Sequence, residues 1–166
     1  TQHDVVADLV RHFPATFELT VFSLVLAVVL GIPLGVICAV YRDGPLDHLA
    51  RVFSVSGLAV PMFWLGLMLQ LIFSLKFDLF PVGGRLGMLT QAPPAITHLY
   101  LIDSLIAGEW STFWEALKHI FLPAVVLSFP ALASIIRVNR ADMLEVLNRD
   151  FITSARAHRS EERRVG

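Results

Sequence analysis

Charge is scarce in this chain of 166 residues: Asp, Glu, Lys and Arg together make up 16%, against about 25% in soluble domains. Too few charges are left to cover the surface of a soluble globule. A basic excess is absent as well, since 13 Lys+Arg stand against 14 Asp+Glu for a net charge of −1, which leaves no electrostatic footprint for nucleic acid. Cysteine occurs once, at Cys38, which excludes an intrachain disulfide and a cysteine-based metal cluster. In its apolar run that thiol reads as a small buried hydrophobe. No Gly-rich phosphate loop ending in Lys-Ser/Thr is present, so ATP hydrolysis of that kind is not expected here. The six histidines form no pair at i, i+3 or i, i+4, the spacing that places two ligands on one helix face. The expectation is a chain with no catalytic or metal-binding residues, no cofactor and no enzymatic activity.

Apolar residues are abundant, at 55% with a mean hydropathy of +0.68, which excludes disorder. They fall in three charge-free runs, residues 19–41, 52–75 and 120–136. As helices rising about 1.5 Å per residue, the first two reach roughly 35 Å, more than the roughly 30 Å hydrocarbon core of a bilayer. The third reaches spanning length if its helix starts near Trp114 and Lys118 extends to the interface. The expected fold is all-α and polytopic, with three transmembrane helices at about 16–41, 52–76 and 115–137. The first run is not read as a signal peptide, because a segment with three acids precedes it and it is too long for an h-region. Gly31, Pro33, Gly35, Gly57, Pro61, Gly66, Pro123 and Pro130 interrupt the runs. In membrane helices such residues serve close packing and kinking, the plainer reading, or mark a moving or pore-lining element.

The connection 42–51 holds Arg42 and Arg51, and the stretch 137–158 holds Arg137, Arg140, Arg149 and Arg156. The Lys/Arg bias places both in the cytoplasm, with Thr1 and residues 77–114 external. The external stretch carries Pro81, Gly83-Gly84, Gly87 and Pro93-Pro94, which is loop chemistry. Residues 99–107 suit a short interfacial helix, and Trp110, Phe113 and Trp114 suit an aromatic belt. Within 141–158, Met143, Leu144, Leu147 and Phe151 share one helix face. That face fits either a helix lying on the membrane or a docking helix for a soluble partner. Gln70 is the one strongly polar side chain deep in a span. It suits an interhelical hydrogen bond or, as an alternative, a pathway wall.

Several short stretches resemble the inner-membrane permease subunit of ABC importers of the dipeptide/oligopeptide and nickel type. They are Phe13-Pro14-Ala15-Thr16-Phe17-Glu18-Leu19, Gly31-Ile32-Pro33-Leu34-Gly35-Val36, Pro61-Met62-Phe63-Trp64-Leu65-Gly66 and Phe80-Pro81-Val82-Gly83-Gly84-Arg85. Leu122-Pro123-Ala124, Arg137-Val138-Asn139-Arg140 and Asp150-Phe151-Ile152-Thr153-Ser154-Ala155-Arg156-Ala157 follow. Any one is weak, but the set runs in family order over nearly the whole chain. The resemblance implies a permease subunit of an ATP-driven importer in the bacterial inner membrane, carrying di- or oligopeptides. It implies partners: a second permease subunit, two ATP-binding subunits, an extracytoplasmic solute-binding protein and membrane lipid, with no nucleic acid. In that family a cytoplasmic Glu-Ala-Ala…Gly loop seats in a cleft of the ATPase. Thr153-Ser154-Ala155 take the Glu-Ala-Ala positions, while Arg159 stands where the Gly is expected. The implied ATPase-coupling residues are Glu145, Asp150, Phe151, Thr153, Ser154, Ala155, Arg156 and Ala157. Gln70, Pro61 and Trp64 are candidate pathway-lining residues. A fragment of a secondary transporter or channel is the alternative, because broken helices occur there too; the lack of ionisable residues in 19–41 and 52–75 speaks against ion coupling. A membrane scaffold or receptor anchor fits the Gly/Pro-rich runs poorly.

Residues 1–158 thus read as part of a permease domain, expected to be incomplete at both ends. Residues 159–166, Arg-Ser-Glu-Glu-Arg-Arg-Val-Gly, spell one reading frame of a common sequencing adapter and are expected to be a non-native tail. The parent DNA tests this: adapter bases after codon 158 are expected, and an open frame continuing in family-like sequence would refute it.

Overall fold

The computed structural model describes residues 5–87, 90 and 92–147. They form helices and loops, with no strand among the described residues. The helices are α1 (Val5–Val40), α2 (Pro45–Ala59), α3 (Met62–Leu69), which runs into a π-helical stretch Gln70–Lys76, α4 (Tyr100–Ala107) and α5 (Trp110–Leu147). Asp8–Val40 and Trp110–Leu147 are each long and apolar enough to cross a membrane. Pro45–Gly57 and Met62–Lys76 pass that test together, as a pair bent by 113°. The all-α polytopic architecture expected from the charge-free runs is therefore present, with its second span broken.

The break has a local cause. Pro61 has no N–H and crowds the residue before it, which disfavours helical backbone at that residue. Val60 is accordingly extended (ψ 125°), as is Pro61 (ψ 129°). A single helix over 52–76, the sequence expectation, is replaced by two. Pro14, Pro33, Pro123 and Pro130 by contrast stay inside α1 and α5, two long helices that pack along each other. Three hydroxyls in α1 are answered within the helix: those of Thr16, Thr20 and Ser23 donate to carbonyls four residues back at 3.2, 2.8 and 2.6 Å, as an apolar surrounding demands.

Helix contacts are made through small residues. A Cβ added to Gly31 would sit 2.7 Å from Ile135 Cγ2, and one added to Gly35 2.8 Å from Asn139 Cβ. Both contacts join α1 to α5. One added to Gly57 of α2 would meet Ala133 Cβ of α5 at 2.5 Å. Ala27, Ala39, Ala124 and Ala133 are buried alongside. In lipid, where apolar side chains gain little by leaving the surroundings, such close approach is what holds helices together. Phe53 of α2 meets Phe129 of α5 edge-on at 4.6 Å.

The short helix expected at 99–107 is α4. It ends at Gly108, whose φ of 71° and backbone N–H to Leu105 O make a left-handed C-terminal cap. Residues 141–147 form no separate helix but continue α5. Residues 148–158, the rest of the expected coupling segment, lie outside the described residues, as do residues 159–166.

Gly57→Val is expected to destabilise the α2–α5 contact by about 1–3 kcal/mol through overpacking, and Ala133→Gly to recover part of that loss. Unfolding of the membrane-inserted protein in mixed micelles measures both.

Candidate functional site: a strapped cavity and a buried ion cluster

Two places in the molecule concentrate polar chemistry, one at each end of α5. The first lies beneath the loop that follows the π-helical stretch. A cavity of about 610 Å³ is lined there by Met62, Phe63, Gly66 and Gln70, by the segment 81–84, by Leu19 of α1, and by His119, Leu122 and Val126 of α5. A smaller one of about 210 Å³ adjoins it and shares Leu19, Gly84, His119 and Pro123. The walls are mostly apolar, with the Gln70 amide and the His119 ring as polar points, which is the usual make-up of a small-molecule site.

Residues 81–85 run over both cavities. The Gln70 side-chain amide donates to the Val82 carbonyl. Arg85 Nη2 donates to Glu18 Oε2 at 2.7 Å and to the His98 carbonyl at 3.3 Å, and its guanidinium lies 3.7 Å over the Tyr100 ring. Glu18 is 8% exposed. Its other oxygen accepts the Leu101 N–H at 2.7 Å, which satisfies a free amide in the first turn of α4. One carboxylate thus joins α1, the loop and α4. Nearby, Glu115 of α5 accepts the Gly87 N–H at 2.9 Å and the Thr90 hydroxyl. In α4, burial pushes the Asp103 carboxyl up, but the Thr97 hydroxyl (2.7 Å) and the Thr97 N–H (2.8 Å) outweigh it and hold the group below the usual carboxylate range.

The second place is at the opposite end of α5. Asp47, in the first turn of α2, is fully buried. Arg140 of α5 grips both its oxygens through Nε and Nη2, the latter at 2.8 Å. Arg51, one turn along α2, donates at 2.7 Å, and the Asp43 N–H at 3.1 Å. Arg51 also reaches Asp43 at 3.1 Å, and Asp43 holds a left-handed φ of 61°, a conformation Asp tolerates better than most residues. A third cavity, of about 570 Å³, lies beside this cluster, lined by Arg51, Ser54, Val55, Ile136, Arg137 and Arg140.

Of the residues singled out from sequence, Gln70 faces the larger cavity, at the junction of α3 with the π-helical stretch. Pro61 forms the helix break, and Trp64 is half exposed on α3; neither lines that cavity. Glu145 is exposed on the last turns of α5. Asp150, Phe151, Thr153, Ser154, Ala155, Arg156 and Ala157 fall outside the described residues. Sequence reasoning missed Glu18, Arg85, Asp47 and Arg140 as partners. Asp47 and Arg51 were legible as an i, i+4 pair; the long-range partners carry no local signal. Among the described residues no three His, Cys, Asp or Glu side chains converge as metal ligands.

The family described as "Binding-protein-dependent transport system inner membrane component" matches residues 31–165. The probable D,D-dipeptide transport system permease protein DdpB of Escherichia coli K12 is 42% identical over 157 residues, 95% of this chain and 46% of the relative. The di/tripeptide transport system permease protein DppB of Pseudomonas aeruginosa is 40% identical over 157 residues, again 95% of this chain and 46% of the relative. The putrescine export system permease protein SapB of Escherichia coli K12 is 32% identical over 154 residues, 91% of this chain and 48% of the relative. The chain spans about half the length of these relatives.

Asp47→Asn is expected to destabilise the inserted protein by about 1–3 kcal/mol, less than a wholly buried pair because Arg51 is half exposed and screened. Arg140→Lys is expected to lose less than Arg140→Met, since lysine keeps the charge but not the two-point grip. Mixed-micelle unfolding ranks the three.

Proposed function

The chain belongs to the binding-protein-dependent transport system inner membrane component family, a family of multi-pass inner-membrane permeases, and from that premise we propose that it is part of the permease subunit of an ATP-driven importer of di- or oligopeptides. The observation that carries the substrate class is the 40–42% identity to peptide permeases over 95% of the chain. The fold supports the reading: two long apolar helices pack through glycine, and the broken second span brings α3 against a cavity large enough for a small solute. Gln70 is the pathway-facing amide of that cavity. The family match argues against the secondary-transporter and channel alternative, and the 113° break at Val60–Pro61 does not require it.

In this reading the loop with residues 77–109 faces outward, toward a solute-binding protein. The Asp47–Arg140 end faces the cytoplasm, as the arginine bias predicts. Hydrolysis of ATP belongs to two separate subunits, and a second permease subunit completes the pathway. Residues 141–158 dock on the ATPase. Glu145 sits on α5 itself, and α5 runs unbroken from the cavity wall at His119 to Leu147, so a push on the docking segment is delivered along one helix to the cavity.

With the flanking sequence restored, the permease co-expressed with its ATPase subunits is expected to retain them through purification from membranes. Ala155→Arg and Asp150→Lys should lose the ATPase while inserting normally. Equal retention in the variants, or none in the wild type, would overturn the docking assignment.

A further inference from the structure

The segment between the π-helical stretch and α4 is held in an unusual way. Its glycine pair offers no side chain to pack. A Cβ on Gly83 would meet nothing within 4 Å, and Gly84 sits at a φ of 83° that side-chain-bearing residues rarely adopt. Val82 is 57% exposed. Residues 81–84 line the 610 Å³ cavity, and Gly84 and Arg85 line the 210 Å³ one, so this short run of backbone forms part of the wall of both. Two side chains tie it down on either side of the glycine pair. Gln70, from the cavity wall, donates to the Val82 carbonyl. Glu18, from α1, binds Arg85. Neither tether is part of the apolar packing that joins α1, α2 and α5.

We propose that residues 81–85 are a strap that closes the loop-side mouth of the cavity, latched at Arg85 by Glu18, pinned at Val82 by Gln70, and hinged at Gly83-Gly84. The proposal rests on the permease reading for its purpose, the admission of solute from the side of the loop. A strap of this build fits a gate because its closed state depends on few contacts. An ion pair and an amide hydrogen bond are each exchangeable for water or for polar groups of an arriving solute, and a glycine hinge absorbs the change in backbone angles. Glu18 adds a second consequence. The same carboxylate accepts the Leu101 N–H, so release of Arg85 leaves Glu18 still joined to α4, a fixed post to which the strap returns. Arg85 in turn stacks on Tyr100 of the same short helix, which pre-orients the guanidinium for reclosure. Gln70 therefore has a double position, on the cavity wall and on the strap, and a solute that engages its amide would compete directly with Val82.

The test is thiol accessibility in the assembled, flank-restored transporter without nucleotide. Cys38 is replaced by alanine, other native cysteines are removed, and a reporter is placed on the cavity wall as Val126→Cys. A membrane-impermeant maleimide added from the loop side should label this site slowly. Glu18→Gln and, separately, Gln70→Leu are expected to raise the labelling rate about tenfold as the open population grows. Arg85→Gln, which removes the same ion pair from the strap side, is expected to raise it likewise. Ser54→Cys, buried at the other end of the molecule, serves as a second reporter and should stay unlabelled throughout. Unchanged labelling at Val126→Cys in the tether variants would overturn the strap. An equal gain at Ser54→Cys would also overturn it, since that marks loosening of the whole bundle. The readout needs no transport, so failure of the wild-type assembly to take up peptide would sink the importer reading while leaving the strap test intact.

Discussion

In a bilayer two helices cannot be driven together by hiding apolar surface, because lipid tails are as apolar as leucine. They stay together only if their backbones come close enough for dense contact. That constraint decides the architecture here. Gly31 and Gly35 let α1 lie against Ile135 and Asn139 of α5, and Gly57 lets α2 lie against Ala133. A single methyl at any of these three positions would collide at 2.5–2.8 Å. The rest of the molecule hangs on this glycine-lined seam: the broken second span, the cavity beneath the loop, and the ion cluster at the far end of α5.

Once the helices are fixed, the few charges that the chain carries must be placed where they can be answered. Asp47 and Glu18 are both buried, and both are answered by arginine from a distant part of the chain. They sit at opposite ends of the seam and differ in kind. Asp47 is held by two arginines and a backbone amide, a junction that fixes α2 to the end of α5. Glu18 is held by one arginine on a loop and one amide of α4, a junction with fewer ties. A permease needs both kinds, a stiff end that receives force and an end that can open.

Much of the helix pattern was legible in the sequence, because a charge-free run longer than the bilayer core has few other solutions. Helix ends were less so. Helix α1 begins at Val5 and α5 ends at Leu147 among the described residues, both beyond the apolar runs, since backbone continuity costs little where side chains reach water. Five prolines lie in the long segments, and only Pro61 breaks a helix. Pro33 and Pro123 carry the same ring and yet stay inside α1 and α5, long helices that pack along each other. Gln70 stood out in sequence as a polar group in an apolar run, yet its bond to Val82 depends on where the loop returns. Pairs such as Asp47 with Arg140 and Glu18 with Arg85 join residues far apart in sequence, and composition and periodicity are blind to them.

The proposed activity is inward movement of peptides at the expense of ATP. The most direct measurement is uptake of a labelled dipeptide into proteoliposomes holding the full-length permease pair and its ATPase, with the solute-binding protein added on the loop side. Accumulation is expected to require both ATP and binding protein and to be competed by unlabelled dipeptides but not by putrescine or nickel. Accumulation without ATP, or competition by putrescine or nickel in place of peptide, would contradict that activity.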